Sequence, residues 1–568
     1  MKLKLLGVTN PNYSTLEQIL VNRNIPYDET HHYMNTTDAD ISDPATFGEN
    51  LQIGAKMLVS NVQKEANTLV ICDCDCDGFT AAALLINYLQ DLFPSFVENN
   101  LKWWVHEGKQ HGLADCMDYI NLKDFQFIIV PDAGSNDYEL HKELSGVGVT
   151  WQFCRYLDNL MGTSYADYYI DLVALGNTGD MMSLTSIETR YLISEGFKPN
   201  NIHNPYIYEM WQKNKFKLGE HISSIDAAFY IVPMINAVQR SGTIEEKELL
   251  FKSMLKYEAF KMILSNKRGH KVGEMERLVD QAVRMSTNVK NRQTRAQDAA
   301  MADLEKIIEE QHLLDHKVIL FTLDEGQIDR NIGGLIANKI ANEYQRPCCI
   351  LTKSEAIPKN DLIFDPTDEY YHPTFDLVTT YQGSARGYEA TGITNFKTIC
   401  EECGAEWAQG HENAFGMCLA ETAIQDFLTR TDERLASISV EPIYYVDYIY
   451  KGADIQPDDI LVISSLKNLW GKDFDESLVA VEDLKISKDM VTVYRKTGNT
   501  LKITLSNGIS LMKFNATDDE CFNLENFTGA YISMNIVGKC NRNEWMGNVS
   551  PQIFIEDYEI TGTGKYLF

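Results

Sequence analysis

In the stretch "CDCDCDGFTAAALL", three aspartates at alternate positions, Asp73, Asp75 and Asp77, interleave with Cys72, Cys74 and Cys76. The preceding "NTLVI" reads as a buried strand. Side chains alternate between the faces of a strand, so the carboxylates are expected on one face and the thiols on the other. Three carboxylates at a strand end, followed by Gly78 and a helix-like stretch, make an oxygen-rich pocket suited to a hard divalent cation. Alternate cysteines on one straight strand do not close a tetrahedron around zinc without ligands from elsewhere, so the thiols read as small core residues. The string also opens like an EF-hand loop, but the bidentate Glu required at the twelfth position is Leu84 here and no helix precedes it. A merely solvated acidic turn is disfavoured, because three crowded like charges after an apolar strand repel one another without a cation.

Two further acidic signals have the same form. Asp132 in "IIVPDAGSND" and Asp180 in "LVALGNTGDMM" each follow an apolar run that reads as a strand, although the longer "YYIDLVALGNTGDMMSL" also reads as a helix leading into a turn; both stand beside glycines that let a backbone approach a ligand. One Asp at a strand end usually caps a helix or makes a turn. Several in one α/β domain point to a dinuclear metal site.

The elements that must position these groups follow from the rest of the chain. At 568 residues it is too long for a single core. The start, "MKLKLLGVTNPNY", lacks a signal-peptide pattern and no segment approaches a membrane span, so a soluble protein is expected. Twelve irregularly spaced cysteines fit a reducing cytoplasm. The formal charge of -30 argues against tight non-specific duplex binding, though a narrow basic track leading to bound ions remains compatible with it. Residues 1–60 hold short helical pieces and a polar loop. Residues 61–244 alternate strands, glycine turns and helices, the pattern of a parallel sheet with its site at the carboxyl ends of the strands. Residues 245–315 read as long connecting helices, and 316–437 as a second α/β unit. Residues 438–568 alternate in strand fashion with Gly-Asn and Asn-Gly turns, which predicts a small β barrel or sandwich.

In order along the chain, "CDCDCDG", "VPDAGSND", "SGVGVTWQF" and "DLVALGNTGDMM" resemble motifs of the DHH phosphoesterase superfamily, in its RecJ single-strand exonuclease branch. "VPMINAVQRSG", with Asn236 and Arg240, is similar to a RecJ stretch ending in Asn-Ala and Arg. "GQIDRNIGGLIANKIANEYQRPCCILT", "YQGSARG" and "AQGHENAFGM" look like its second domain, with a Gly-Ser-x-Arg-Gly loop and a Gly-His motif. The tail "GAYISMNIVGKCNRNEWMGNVSPQIFIEDYEI" resembles the end of the RecJ OB-fold. There are departures. No Asp-His-His occurs, since "DAGSNDYELHKEL" runs straight into "SGVGVT"; His31 and His32 lie far upstream and read as a surface pair; and Ile71 stands where the superfamily often has a His ligand. What remains is a mostly carboxylate site for Mg²⁺ or Mn²⁺.

The resemblance implies a metal-dependent phosphodiesterase degrading single-stranded DNA from its 5′ end, in recombination, repair or replication, with other DNA-replication or repair proteins as partners. It implies two ions, Mn²⁺ or Mg²⁺, one on Asp75 and Asp132 and one on Asp77, Asp132 and Asp180, with Asp73 orienting the cluster. Gly383, Ser384, Arg386 and Gly387 would cradle a phosphate, His411 would steady the scissile group, and Asn236 and Arg240 would contact substrate. His106, Lys109 and His111 follow the strand-like "LKWWV", and His111 is the candidate to reach a metal or phosphate. Cys400, Cys403, His411 and Cys418 can be drawn as a zinc site, a weaker reading because the first two lie in an acidic helical stretch. Tyr531 and Trp545 are candidate stacking residues in the tail. Two alternatives stand beside this one: a catalytically weakened nucleic-acid-binding or scaffold protein, and a phosphodiesterase for short oligonucleotides or cyclic dinucleotides.

Overall fold

A computed structural model describes residues 1–107, 121–132, 143–356, 378–388, 392–437, 443–496, 498–545 and 547–564. The chain divides into two compact units, one formed by Met1–Thr287 with Tyr444–Phe568 and the other by Asn288–Ile443. No helix among the described residues is long and apolar enough to cross a membrane.

In the first unit, a parallel sheet is centred on the strand Thr68–Cys72, flanked by Leu101–Val105 and Phe127–Ile129. All five residues of the central strand are buried, as a strand covered on both faces requires. Its chain continues into the helix Cys76–Leu92, buried through its first fourteen residues. The helices Gly146–Met161 and Ile170–Gly179 pack against that helix. The run ending in Asp180 is a helix leading into a turn, one of its two readings, and not a strand. Nine of the ten residues of Ile170–Gly179 are buried, which erases the polar stripe that ordinarily marks a helix in sequence.

Residues 245–315 also depart from the expectation of helices throughout. The helix Ile244–Met254 is followed by an antiparallel ribbon, Met262–Leu264 with Met275–Arg277, and then by the 33-residue helix Leu278–Glu310.

The tail forms one seven-stranded sheet rather than two packed layers. Its order is Tyr448–Lys451, Leu478–Ile486, Tyr531–Trp545, Asn548–Gly564, Ser510–Phe514, Thr500–Thr504, Val491–Tyr494. Register shifts between Val481 and Leu484, and at two places in the long central pair, mark bulges that bend such a sheet. The N-terminal segment ties this tail to the parallel-sheet domain. Arg23 sits over the rings of Trp470 and Phe474, which stack on each other. Tyr33 contacts Phe474 and donates its hydroxyl to Leu184 O at 2.8 Å, while the Leu184 N–H donates to Lys472 O at 2.9 Å.

The second unit has a five-stranded mixed sheet in the order Trp407–His411, Ala414–Ala420, Val378–Arg386, Cys348–Ala356, Ile319–Leu323. One face packs on the helix Arg330–Tyr344, through Ile332, Ile336 and Ile340 against Ile319, Phe321 and Ile350. The other face carries Leu351, Ala385 and Met417 with Phe396 and Phe427.

The Arg23–Asp447 pair fastens the tail. Asp447 is fully buried, accepts from Arg23 Nε and Nη2 at 2.6 and 2.8 Å, and also accepts from Ser477 Oγ and the Leu478 N–H. Removing Asp447 leaves the mostly buried Arg23 with only the Asp475 carbonyl as acceptor and strips Ser477 and Leu478 of theirs. Asp447→Ala is expected to lower stability by about 3–5 kcal/mol, read as a shift of the urea unfolding transition.

Candidate active site

The central strand ends at Cys72, so the alternation that separated aspartates from thiols does not run on through residues 73–77. Residues 73–75 instead turn the chain into the helix Cys76–Leu92, with Asp75 as its N-cap, accepting from the Gly78 N–H at 2.9 Å. The turn nonetheless segregates the two residue types. Cys72, Cys74 and Cys76 are 0, 5 and 1 % exposed. Burial pushes the Cys72 and Cys76 thiols well up, and neighbouring carboxylates add to the shift, so both stay protonated.

Asp73, Asp75 and Asp132 each offer one oxygen within a set whose members all lie within 4.8 Å of one another. Asp132 arrives from the neighbouring strand Phe127–Ile129, which runs parallel to the central strand and so delivers its residue to the same sheet end. Asp73 thus belongs to the cluster itself and not only to its surroundings. Gly146 lets Asp132 sit there, because a Cβ at that position would meet Asp132 Oδ1 at 2.6 Å.

Asp77 is placed differently. It lies in the first turn of its helix, 2 % exposed, and its carboxylate accepts from the Gly146 N–H at 2.6 Å, the Val147 N–H at 3.0 Å and Ser145 Oγ at 2.9 Å. Those amides open the helix Gly146–Met161, whose N-terminal end carries partial positive charge. Burial still pushes the Asp77 carboxyl well above the usual range. The charges of Asp132, Asp180 and Asp75 push the same way, and the Val147 N–H opposes them. A divalent cation among these groups would reverse that balance.

Asp180 caps the C-terminal end of the helix Ile170–Gly179, is exposed, and acts electrostatically on Asp77. Asn236 and Arg240 lie one helical turn apart on Val232–Ser241, both half-buried. Burial lowers the Arg240 pKa, and the attraction of Asp75 partly restores it, which places this cation beside the cluster. His106 follows the strand Leu101–Val105, whose Val105 pairs with Cys72, so His106 and Asp73 leave adjacent strand ends. His111 and Lys109 lie outside the described residues. His31 and His32 are exposed on a short helix far along the chain, with His32 paired to Asp40 at 2.6 Å.

Two residues that the sequence did not single out complete the setting of Asp77. Ser145 stands at the N-cap of its helix but makes no capping bond. Its hydroxyl is instead 2.9 Å from Asp77 Oδ1 and 2.8 Å from Asn177 Oδ1. One hydroxyl hydrogen cannot serve two acceptors fully, and Asn177 Nδ2 is buried without a partner among the described residues. With its amide turned over, Asn177 would donate to Ser145 Oγ, and Ser145 would donate to Asp77, at the expense of the longer 3.3 Å contact from the Ser145 N–H. A Ser directly before Gly-Val-Gly was the available signal, though it reads first as a cap.

In the second unit, Gly383, Ser384 and Arg386 belong to the strand Val378–Arg386 and not to a loop, and Gly387 follows it. Ser384 and Arg386 face the helix Arg330–Tyr344. A Cβ at Gly334 would meet Arg386 Nη2 at 2.5 Å, so this glycine makes room for the guanidinium. The register pairs Arg386 with Ala414 and Ala414 with His411, which puts the Arg and the exposed His on one rung at the same sheet end. A cavity of about 250 Å³ is lined by Arg330, Thr352, Gln382, Gly383, Ser384 and Trp407 among others. Cys400, Cys403 and Cys418 are buried, whereas His411 is exposed at its strand end. Cys400, Cys403, His411 and Cys418 do not bring their ligand atoms together as Asp73, Asp75 and Asp132 do, so the zinc reading of those cysteines is set aside. Tyr531 is half-buried with Lys485 over its ring. The Trp545 side chain lies outside the described residues.

A family model described as the RecJ OB domain matches residues 446–557. The "Putative SPbeta prophage-derived single-strand DNA-specific exonuclease YorK" of Bacillus subtilis (strain 168) is 27 % identical over 603 residues, covering 99 % of each chain. The single-stranded-DNA-specific exonuclease RecJ of the same organism is 22 % identical over 575 residues, covering 93 % of this chain and 66 % of that one. Crystal structures of RecJ from Thermus thermophilus in complex with Mn²⁺ and with Mg²⁺ superpose with TM-scores of 0.67 and 0.64 at 15 % identity, covering 99 and 100 % of this chain and 80 % of theirs.

The contacts around Asp77 predict separable effects. Ser145→Ala removes a hydrogen bond to a carboxylate without removing the carboxylate, and Mn²⁺ affinity measured by calorimetry should fall about 10–100-fold. Cys72→Ala should cost on the order of 1–2 kcal/mol of stability through lost packing, with Mn²⁺ affinity unchanged.

Proposed function

Because the chain is a RecJ-like protein of the DHH phosphoesterase superfamily, we propose that it is a metal-dependent phosphodiesterase that degrades single-stranded DNA from its 5′ end. The observation that carries this reading is the convergence of Asp73, Asp75 and Asp132 within 4.8 Å at the end of a parallel sheet, with the buried Asp77 beside them.

The donor set fits hard divalent ions. It is all oxygen, its charges crowd one another, and the nearby thiols stay protonated and turned into the core. Asp73, Asp75 and Asp132 would hold one ion, and Asp77, Asp132 and Asp180 a second, Mn²⁺ or Mg²⁺. Such a pair, when bound, lowers the pKa of a water and offsets charge on the attacking and leaving oxygens of an in-line displacement. The chain's own groups do the positioning. The first amides of the helix Gly146–Met161 fix Asp77, the Asp75 cap fixes the turn, and Arg240 adds a cation able to draw a phosphate toward the carboxylates. In the second unit, Arg386 offers a planar fork for two phosphate oxygens, with Ser384 as a further donor and His411 on the same rung. The OB-like tail would grip the strand away from the scissile bond by stacking and backbone contacts.

One observation favours a second reading, a weakened nuclease that mainly binds strands. Among the described residues the cluster contains no imidazole, and Ile71 occupies the position where the superfamily often has one.

The deciding assay uses single strands labelled at either end with Mn²⁺ titrated upward. The proposal expects early release of the 5′ label, activity that needs raised Mn²⁺, and none after Asp75→Asn. Binding of strands with no cleavage at any Mn²⁺ concentration would establish the second reading. Arg386→Lys keeps the charge but loses the fork, and should cost most of the activity that Arg386→Ala costs. A Lys variant as active as the parent would show that Arg386 is only a general electrostatic contact.

A further inference from the structure

The ribbon between the helices Ile244–Met254 and Leu278–Glu310 has no part in the chemistry above, yet it is built with care. Met262 pairs with Arg277, Ile263 with Glu276 and Leu264 with Met275. Cross-strand partners share a face, so Met262, Leu264 and Met275 lie together on one side with Arg277. Phe260 borders them, with Arg277 over its ring. That side faces solvent: Phe260, Met262, Leu264 and Met275 are 53, 55, 67 and 46 % exposed. The other side is bolted down. Glu276 accepts from Arg284 at 2.6 and 2.7 Å and from Gln281, whose amide also donates to Leu264 O.

The tip of the ribbon has the opposite character to the chain as a whole. Residues 266–273, "NKRGHKVG", carry Lys267, Arg268 and Lys271 beside His270, all exposed, against the single carboxylate of Glu274, which accepts from the Lys271 N–H at 2.9 Å. The loop closes on itself through His270 N–H to Lys267 O and Glu274 N–H to Lys271 O, so it holds a fixed shape. None of the three cations makes an ion pair among the described residues. In a chain of net charge -30, a cluster of exposed cations on this tip makes a local surface complementary to an anionic partner. An exposed row of large apolar side chains beneath it calls for a partner with apolar faces as well.

We propose that this ribbon is a contact for single-stranded nucleic acid, with Lys267, Arg268 and Lys271 on phosphates and Phe260, Met262, Leu264 and Met275 against unpaired bases. This rests on the single-strand reading above and adds a binding surface to it. A duplex offers the same phosphates but keeps its base faces stacked inside, which would leave the apolar row unused. A single strand satisfies both halves of the ribbon at once.

The test is fluorescence anisotropy of the full chain with labelled dT30 and with an abasic 30-mer, in EDTA to prevent cleavage, across a salt series. Changing Lys267, Arg268 and Lys271 together to Ala is expected to weaken dT30 binding about tenfold or more near 0.1 M salt, and to reduce the salt slope by about 2 for three phosphates. Phe260→Ala with Leu264→Ala should leave the slope alone but erase the preference for dT30 over the abasic strand. Both sets lie on the surface, and circular dichroism checks that they fold. Parent-like affinity and slope in both sets would overturn the ribbon contact while leaving the exonuclease reading intact. A parent chain that neither binds nor degrades single strands would overturn both. Sedimentation showing a dimer that Leu264→Ser disperses would assign the ribbon to self-association instead and also overturn it.

Discussion

Like charges gathered at the end of a buried strand repel one another, and this one constraint organises the first unit. Asp73, Asp75, Asp77 and Asp132 are brought to one sheet end, two of them almost wholly buried. Within the protein part of the compensation comes from backbone donors, beside the attraction between Asp75 and Arg240. Asp77 takes the first amides of the helix Gly146–Met161, and Asp75 takes the first turn of its own helix. Backbone donors cannot leave, titrate or be displaced by salt, so they hold the geometry before any cation arrives. They do not neutralise it, since burial and neighbouring carboxylates still dominate the Asp77 balance. The site is therefore rigid and charge-deficient together, the condition in which a divalent ion gains most from binding.

That rigidity depends on packing at a distance. The helix Cys76–Leu92, which begins with the acidic turn, is buried over most of its length, with Phe79 edge-on to Phe251 and Tyr88 donating to Asp158. A helix in this position cannot shift without opening the core. The N-terminal segment extends the same frame to the OB-like tail through Arg23, Tyr33 and the rings of Trp470 and Phe474. The buried Arg23–Asp447 pair makes a weak case for net stability by itself, but it fixes which surfaces meet.

How much of this was legible in sequence depended on whether a local rule operated where it was applied. The acidic cluster was readable, although the argument used a strand period that stops at Cys72; the turn at residues 73–75 separated thiols from carboxylates by burial instead. Asp180 was singled out at the end of an apolar run that read both as helix and as strand and is a helix, because complete burial removes the periodicity that tells the two apart. Ser384 and Arg386 were singled out through motif resemblance, yet their strand placement is set by register with neighbours far away in sequence. Ser145 and Asn177 were missed since their role exists only when two helices meet at Asp77. The ribbon was missed because its Glu, Lys and Met content favours helix, and the glycines at 269 and 273 were outweighed by that composition.

The charge of the whole chain and the proposed substrate pull in opposite directions, and the structure suggests how both can hold. At physiological ionic strength a field is screened beyond about 8 Å, so a strand lying on the protein responds to the groups it touches more than to the net charge. Arg240 beside the carboxylates, Arg386 in its glycine-made slot and the basic ribbon tip are each such local groups. The remaining acidic surface then acts before contact: it slows the approach of any polyanion and favours one that can thread between repulsive regions. A flexible single strand can do so, whereas a stiff duplex presents its full charge density along a straight line. On this view acidity is part of the selectivity. Salt would then have two opposed effects, easing the encounter by screening the acidic surface while loosening each phosphate contact after it.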